Sequence, residues 1–145
     1  NFIELSNYQI TAMKSIGNTR FISSYYTDKS KWENTTKKYI ENFFENFEEL
    51  KIFLNIYDIK LDIVLFPWPY ELTNEEVRKN YLDFINSINS NFNLNIHNCY
   101  DLFLKKDILK QLEFIGKSFL SADVHYNSYG YKVLANCIKN KIKFD

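Results

Sequence analysis

Asp123 and His125 are the two side chains of this sequence best placed to do acid–base chemistry. They stand in the stretch Ser121-Ala122-Asp123-Val124-His125-Tyr126-Asn127-Ser128-Tyr129-Gly130-Tyr131, where Asn127 and Ser128 supply helix-start chemistry and a periodic segment follows. A neutral imidazole takes a proton from a nucleophile only when its other ring nitrogen is held in the right tautomer. A neighbouring carboxylate does that while stabilising the imidazolium. The pair reads as a base, His125, oriented by Asp123. A histidine two residues after an aspartate is also a common helix-entry cap, so the pair by itself leaves both readings open.

Two other groupings carry less chemistry. His97, Cys99 and Asp101 lie at steps of two and, with His125, invite a metal reading, but no fourth ligand lies near them in the chain, so neither a metal nor a cofactor is expected. Ser6 and Ser15 neither follow a buried strand nor sit in a Gly-Asp-Ser setting, so neither reads as a nucleophile. Cys99 and Cys137 have neither metal-site spacing nor the density of a disulfide scaffold, and read as free, buried thiols.

The elements that must position the pair are legible from about residue 34 onward. Asn34-Thr35-Thr36 offer helix-start chemistry, and Ile40, Phe43, Phe44, Phe47, Leu50 and Leu54 then recur at three- and four-residue steps, an aromatic stripe expected to be core. Lys60 to Phe66 is a nearly continuous apolar run stopped by Pro67-Trp68-Pro69, as in strands of parallel sheets covered on both faces. Ligand crevices open at that end of such strands, which makes Trp68 and Tyr70 candidates for a pocket wall. Thr73 with Glu76 reads as a capping box, and the helix that follows carries Val77, Tyr81, Leu82, Ile85 and Ile88 on one face. Phe92, Leu94 and Ile96 alternate as a second strand, and the order strand, helix, strand implies a parallel pair. A helix over 102–115 closed by Gly116 and a last helix with Tyr131, Leu134, Ile138 and Ile142 inward complete the pattern. Residues 1–31 form a poorly defined lead-in, with Arg20 to Tyr26 a short strand or an extended insertion.

Two blocks, the Asp-x-His-aromatic-Asn-x-x-Gly pattern from Asp123 to Gly130 and Ile63-Val64-Leu65-Phe66-Pro67-Trp68-Pro69-Tyr70-Glu71-Leu72, resemble conserved blocks of the SGNH (GDSL-type) hydrolases, in the order that superfamily has them. The resemblance covers roughly residues 32–143. It implies an α/β fold, here the C-terminal part of a three-layer α/β/α sandwich with a parallel, flavodoxin-like sheet, with 32–145 belonging to one domain. It further implies that Asp123 and His125 complete a triad with an upstream serine, and that the substrate is an ester, by analogy an acylated carbohydrate. Tyr126, where many relatives carry Trp, joins Trp68 and Tyr70 as a substrate-binding candidate. The Gly-Asp-Ser block and the glycine and asparagine blocks of the oxyanion hole have no counterpart here. Gly17-Asn18 lacks the preceding strand and the usual following Asp. The chain also opens at Asn1 with its first methionine at Met13, so it is expected to be the C-terminal portion of a longer protein and inactive alone. The missing part of the same domain would be its first partner. The competing reading is a non-catalytic α/β binding or interaction domain.

Composition narrows the classes further. At 145 residues the chain is long enough for one core and too short for two. Its 18 basic and 18 acidic side chains cancel, and only two of the cations are arginines, so nucleic acid is not an expected partner. No apolar run approaches the ~20 residues of a membrane span, and no signal-peptide pattern opens the chain.

Overall fold

The computed structural model describes residues 4–27, 37–92 and 94–142, with side chains described for all of these but 21–27, 37–41, 87–88 and 91–92. The expected start at Asn34-Thr35-Thr36 and the side chains of Ile40, Ile88 and Phe92 lie outside them.

Ser6 and Gln9 open the first helix, α1 (Asn7–Thr27), by a reciprocal exchange. The Gln9 amide N–H donates to Ser6 Oγ at 3.3 Å, and the Ser6 N–H donates to Gln9 Oε1 at 2.8 Å. Arg20 to Tyr26, expected to be extended, continues this helix. The inner face of α1 is small and partly polar: Ala12, Ser15 and Thr19 are buried at steps of three and four. Helix α2 (Lys37–Ile56) follows. Its aromatic stripe is not core, since Phe43 is 50% exposed, Leu50 is 44% exposed, and Phe44, Phe47 and Leu54 are half-buried. Its rings lean on one another instead, with Phe43 and Phe47 stacked at 5.8 Å.

Strand β1 (Asp62–Leu65) leads through Pro67-Trp68-Pro69 into the short helix α3 (Pro69–Thr73) and then α4 (Glu75–Phe92). Asn74, and not Thr73, caps α4: its Oδ1 accepts the Val77 N–H at 3.1 Å, while Thr73 Oγ1 donates back to the Tyr70 carbonyl within α3. Pro69 starts a helical turn early enough that Thr73 is already inside one, which moves the cap on by a residue. Strand β2 (Asn95–Asn98) pairs with β1 in parallel, with Asp62 opposite Asn95 and Leu65 opposite Asn98. Of β1 only Leu65 is fully buried, so the apolar run is less covered than a two-faced strand would be. The described residues thus form a largely helical α/β arrangement with a two-stranded parallel sheet.

The expected helix over 102–115 is two helices, α5 (Tyr100–Phe103) and α6 (Ile108–Ser118), because Asp107 caps a new start by accepting the Lys110 N–H at 2.9 Å. Buried Gln111 satisfies the break: its Oε1 accepts from the Lys105 N–H and its Nε2 donates to the Phe103 carbonyl. Gly116 does not end α6 but lets α1 cross it, since a Cβ there would stand 1.9 Å from the Tyr8 carbonyl oxygen. The last helix, α7 (Ser128–Lys141), turns Cys137 inward, whereas Tyr131 is 55% exposed and not inward.

Ala12, Leu72, Cys99, Phe103, Phe114, Ile115, Phe119, Tyr126 and Cys137 form the core where α1, α3, α5, α6 and α7 meet. Both cysteines are fully buried, as expected, but they are not free. They form a disulfide with Cα atoms 5.9 Å apart. They stand 38 positions apart in the sequence, and α5 and α6 fold that interval back so that α7 lies beside the end of β2. No helix among the described residues is long and apolar enough to cross a membrane.

Candidate active site

The acid–base pair sits on a hairpin-like loop between α6 and α7. Phe119 and Tyr126 form an isolated antiparallel bridge, the Leu120 N–H donates to the His125 carbonyl at 2.9 Å, and the Asn127 N–H donates to the Ser118 carbonyl at 3.0 Å. Within this frame Leu120 to Asp123 make a tight turn, in which the Asp123 N–H donates to the Leu120 carbonyl at 3.2 Å. Ala122, the third residue of the turn, has φ 57°, the left-handed region that side chains avoid. The turn brings His125 Nδ1 to 2.8 Å from Asp123 Oδ1.

A carboxylate only accepts, so Nδ1 must carry the proton and Nε2 is left with a lone pair. That is the tautomer a base needs. The hydrogen bond from His125, then the Val124 N–H at 2.6 Å, hold the Asp123 carboxyl below its ordinary range. Side-chain exposures of 68% for His125 and 42% for Asp123 put the pair at the surface. Among the described residues no hydroxyl is hydrogen-bonded to Nε2.

Asn127 joins the loop to α7. Its Oδ1 accepts the N–H groups of Tyr129 and Gly130, and its Nδ2 donates to the carbonyls of Lys117 and Phe119. Gly130 is demanded by proximity, since a Cβ there would fall 2.2 Å from the Ser118 carbonyl oxygen. The asparagine and glycine of the motif thus fix where the loop leaves α6 and enters α7.

Tyr126, a substrate-binding candidate by its sequence, is buried. It is 6% exposed, and its ring packs on Phe119 and Phe103 with centroids 4.5 and 5.2 Å away. Its hydroxyl donates to the Pro67 carbonyl at 2.8 Å, and burial pushes that hydroxyl's pKa far up. The side chain ties the loop of the pair to the Pro67-Trp68-Pro69 turn rather than facing a ligand. Trp68 and Tyr70 on that turn are half-buried, and the Tyr70 hydroxyl accepts from Asn74 Nδ2 at 3.0 Å.

Several residues of the site have no structural role assigned to them by the sequence. Ser15 Oγ donates to the Leu120 carbonyl at 3.2 Å, Asn18 Nδ2 donates to the Ala122 carbonyl at 2.6 Å, and Thr19 Oγ1 accepts the Tyr70 N–H at 3.0 Å. One face of α1 therefore holds both loops. Beneath the Pro-Trp-Pro turn, the buried Glu71 accepts the Trp68 N–H at 3.0 Å and the Tyr100 hydroxyl at 2.5 Å. Burial outweighs those donors and raises the Glu71 pKa. A carboxylate in the first turn after a Pro-Trp-Pro stop was a visible signal, whereas the small residues of α1 carried none of the hydrophobic weight that marks a helix face.

The residues of the metal reading are not assembled. Cys99 is in the disulfide, His97 Nε2 is bonded to Asp62 at 2.7 Å, and no three potential ligands cluster among the described residues. Comparison with protein-family models, with curated proteins and with solved structures finds no match.

Proposed function

We propose that this chain supplies the histidine–aspartate half of a serine ester hydrolase or O-acyl transferase of the SGNH type, acting on an acylated carbohydrate. The observation that carries the reading is the His125 Nδ1 to Asp123 Oδ1 hydrogen bond on an exposed imidazole whose Nε2 is unbonded among the described residues. In this reading Nε2 takes the proton of a serine hydroxyl as its oxygen attacks the ester carbonyl. The resulting imidazolium, stabilised by Asp123, returns the proton to the departing sugar oxygen. Water or a second sugar hydroxyl then resolves the acyl-enzyme through the same base. Trp68 and Tyr70 form part of the sugar wall, and β1 and β2 are two strands of a wider parallel sheet in a three-layer sandwich. The nucleophile comes from outside the described residues.

A fluorophosphonate probe and acetylated oligosaccharides test this. The 145-residue chain is expected to take no label and to release no more acetate than its His125→Ala variant. A longer form reaching upstream to a Gly-Asp-Ser block is expected to be active and to lose about 10³-fold or more in kcat with His125→Ala. Activity that survives that substitution, or an upstream sequence without the serine block, sinks the esterase reading. The alternative, a non-catalytic α/β interaction domain, draws its support from the half-exposed apolar face of α2.

A further inference from the structure

We propose that Asn18 is the positioning residue of the Asp123–His125 pair, and that α1 belongs to the site as the element that sets the tautomer of the base. The inference rests on the base role given to His125 above. Asp123 and His125 are both exposed, so packing does not hold their side chains in place. Their geometry depends on the turn beneath them, and that turn contains Ala122 in a conformation that an alanine does not keep unaided. Two side chains of α1 hold its two carbonyls. Ser15 Oγ donates to the Leu120 carbonyl, which also accepts the Asp123 N–H, and Asn18 Nδ2 donates to the Ala122 carbonyl.

The Ala122 carbonyl belongs to the peptide whose N–H is that of Asp123, the N–H that closes the turn. Fixing its oxygen at 2.6 Å from Asn18 Nδ2 therefore fixes the plane from which the Asp123 side chain departs. Asn18 is hydrogen-bonded to neither side chain of the pair; it acts through that peptide. More than one hundred residues separate donor and acceptor in each of these two hydrogen bonds, so a local turn could not substitute for α1.

The chain holds two histidines, and they meet their carboxylates through opposite ring nitrogens, which supplies an internal control. His125 is bonded to its carboxylate through Nδ1, and His97 to Asp62 through Nε2. Long-range ¹H–¹⁵N correlation spectra of the ¹⁵N-labelled chain report both rings together. In the unsubstituted protein His125 is expected as the Nδ1–H form and His97 as the Nε2–H form. Asn18→Ala is expected to shift the His125 tautomer ratio by about tenfold, the scale of one lost hydrogen bond, with His97 unchanged. Asn18→Asp, which sets a carboxylate against the carbonyl, is expected to shift it further, and the Asp123 carboxyl should return toward its ordinary pKa in both variants. Asn18→Gln, with the same amide one methylene further out, is the conservative rescue.

If Asn18→Ala leaves His125 in the Nδ1–H form and Asp123 still acidic, the positioning role is wrong while the base reading stands. If both rings change together, Asn18 serves the fold and not the pair, and the proposal again fails. An Nε2–H form of His125 in the unsubstituted protein overturns the base reading and the positioning role at once.

Discussion

The Tyr126 hydroxyl carries a hydrogen bond across 59 residues of sequence to the Pro67 carbonyl, so one oxygen atom couples the two loops of the site. Tyr126→Phe leaves that carbonyl without this donor and is expected to cost about 1–3 kcal/mol in chemical denaturation, with the core rings still in place. Glu71 makes the opposite kind of prediction. Its pKa is raised in the fold, chiefly by burial, so the folded state favours the protonated acid. The stability this contributes is complete below the unfolded pKa and is lost as pH rises through the folded one. Glu71→Gln keeps an acceptor for Trp68 and Tyr100 and removes the ionisation. It should flatten the pH dependence of Tm across that window and raise Tm at neutral pH relative to the unsubstituted chain. A lower Tm of the variant at neutral pH would show that the donors win over burial. At this scale legibility followed locality. Asn127 is legible because the two amides its Oδ1 caps, those of Tyr129 and Gly130, are two and three residues on, whereas Gly130 answers to Ser118 and the Tyr126 hydroxyl to Pro67, and nothing in a linear motif says what a distant segment brings or which way an aromatic ring points.

Gly116 and α2 separate the elements the sequence specified from those it did not. Gly116 looked like a helix stop, yet the space a Cβ needs is occupied by the Tyr8 backbone of a crossing helix. Gly116→Ala should therefore destabilise the chain by about 3 kcal/mol in urea titrations, although alanine is the better helix former. The regular apolar period of helix α2 predicts a core helix, but a period states only that a helix has an apolar face, not what covers it. Phe53, 53% exposed, is expected to tolerate Phe53→Lys within about 0.5 kcal/mol, where a core position would lose several. Helix α1 escaped notice for the converse reason. Ala12, Ser15 and Thr19 allow close approach to α6 and α3 without adding hydrophobic signal, so 7–27 looked irregular while forming the face that grips both loops.

For the molecule as a whole, the pairing of Cys99 with Cys137 was the feature least accessible to sequence reasoning, because two cysteines 38 residues apart meet only if everything between them folds back correctly. Cys99→Ser with Cys137→Ser should lower the unfolding free energy by about 4 kcal/mol, the chain-entropy figure for a loop of this length. Equal stability of the paired and serine forms would mean that the denatured chain is already constrained without the bond. The parallel strand pair was foreseen because β1, a helix and β2 follow in an order that leaves few alternatives.

The interval closed by that bond contains α5, α6, the whole Asp123–His125 loop and most of α7. A protease that cuts the exposed Ser121-Ala122 turn would therefore sever the chain without releasing either piece. The nicked protein would migrate as one band on a gel until a reductant is added and as two fragments afterwards. Its loop would have gained two new ends, while α6 and α7 stayed on the same covalent body.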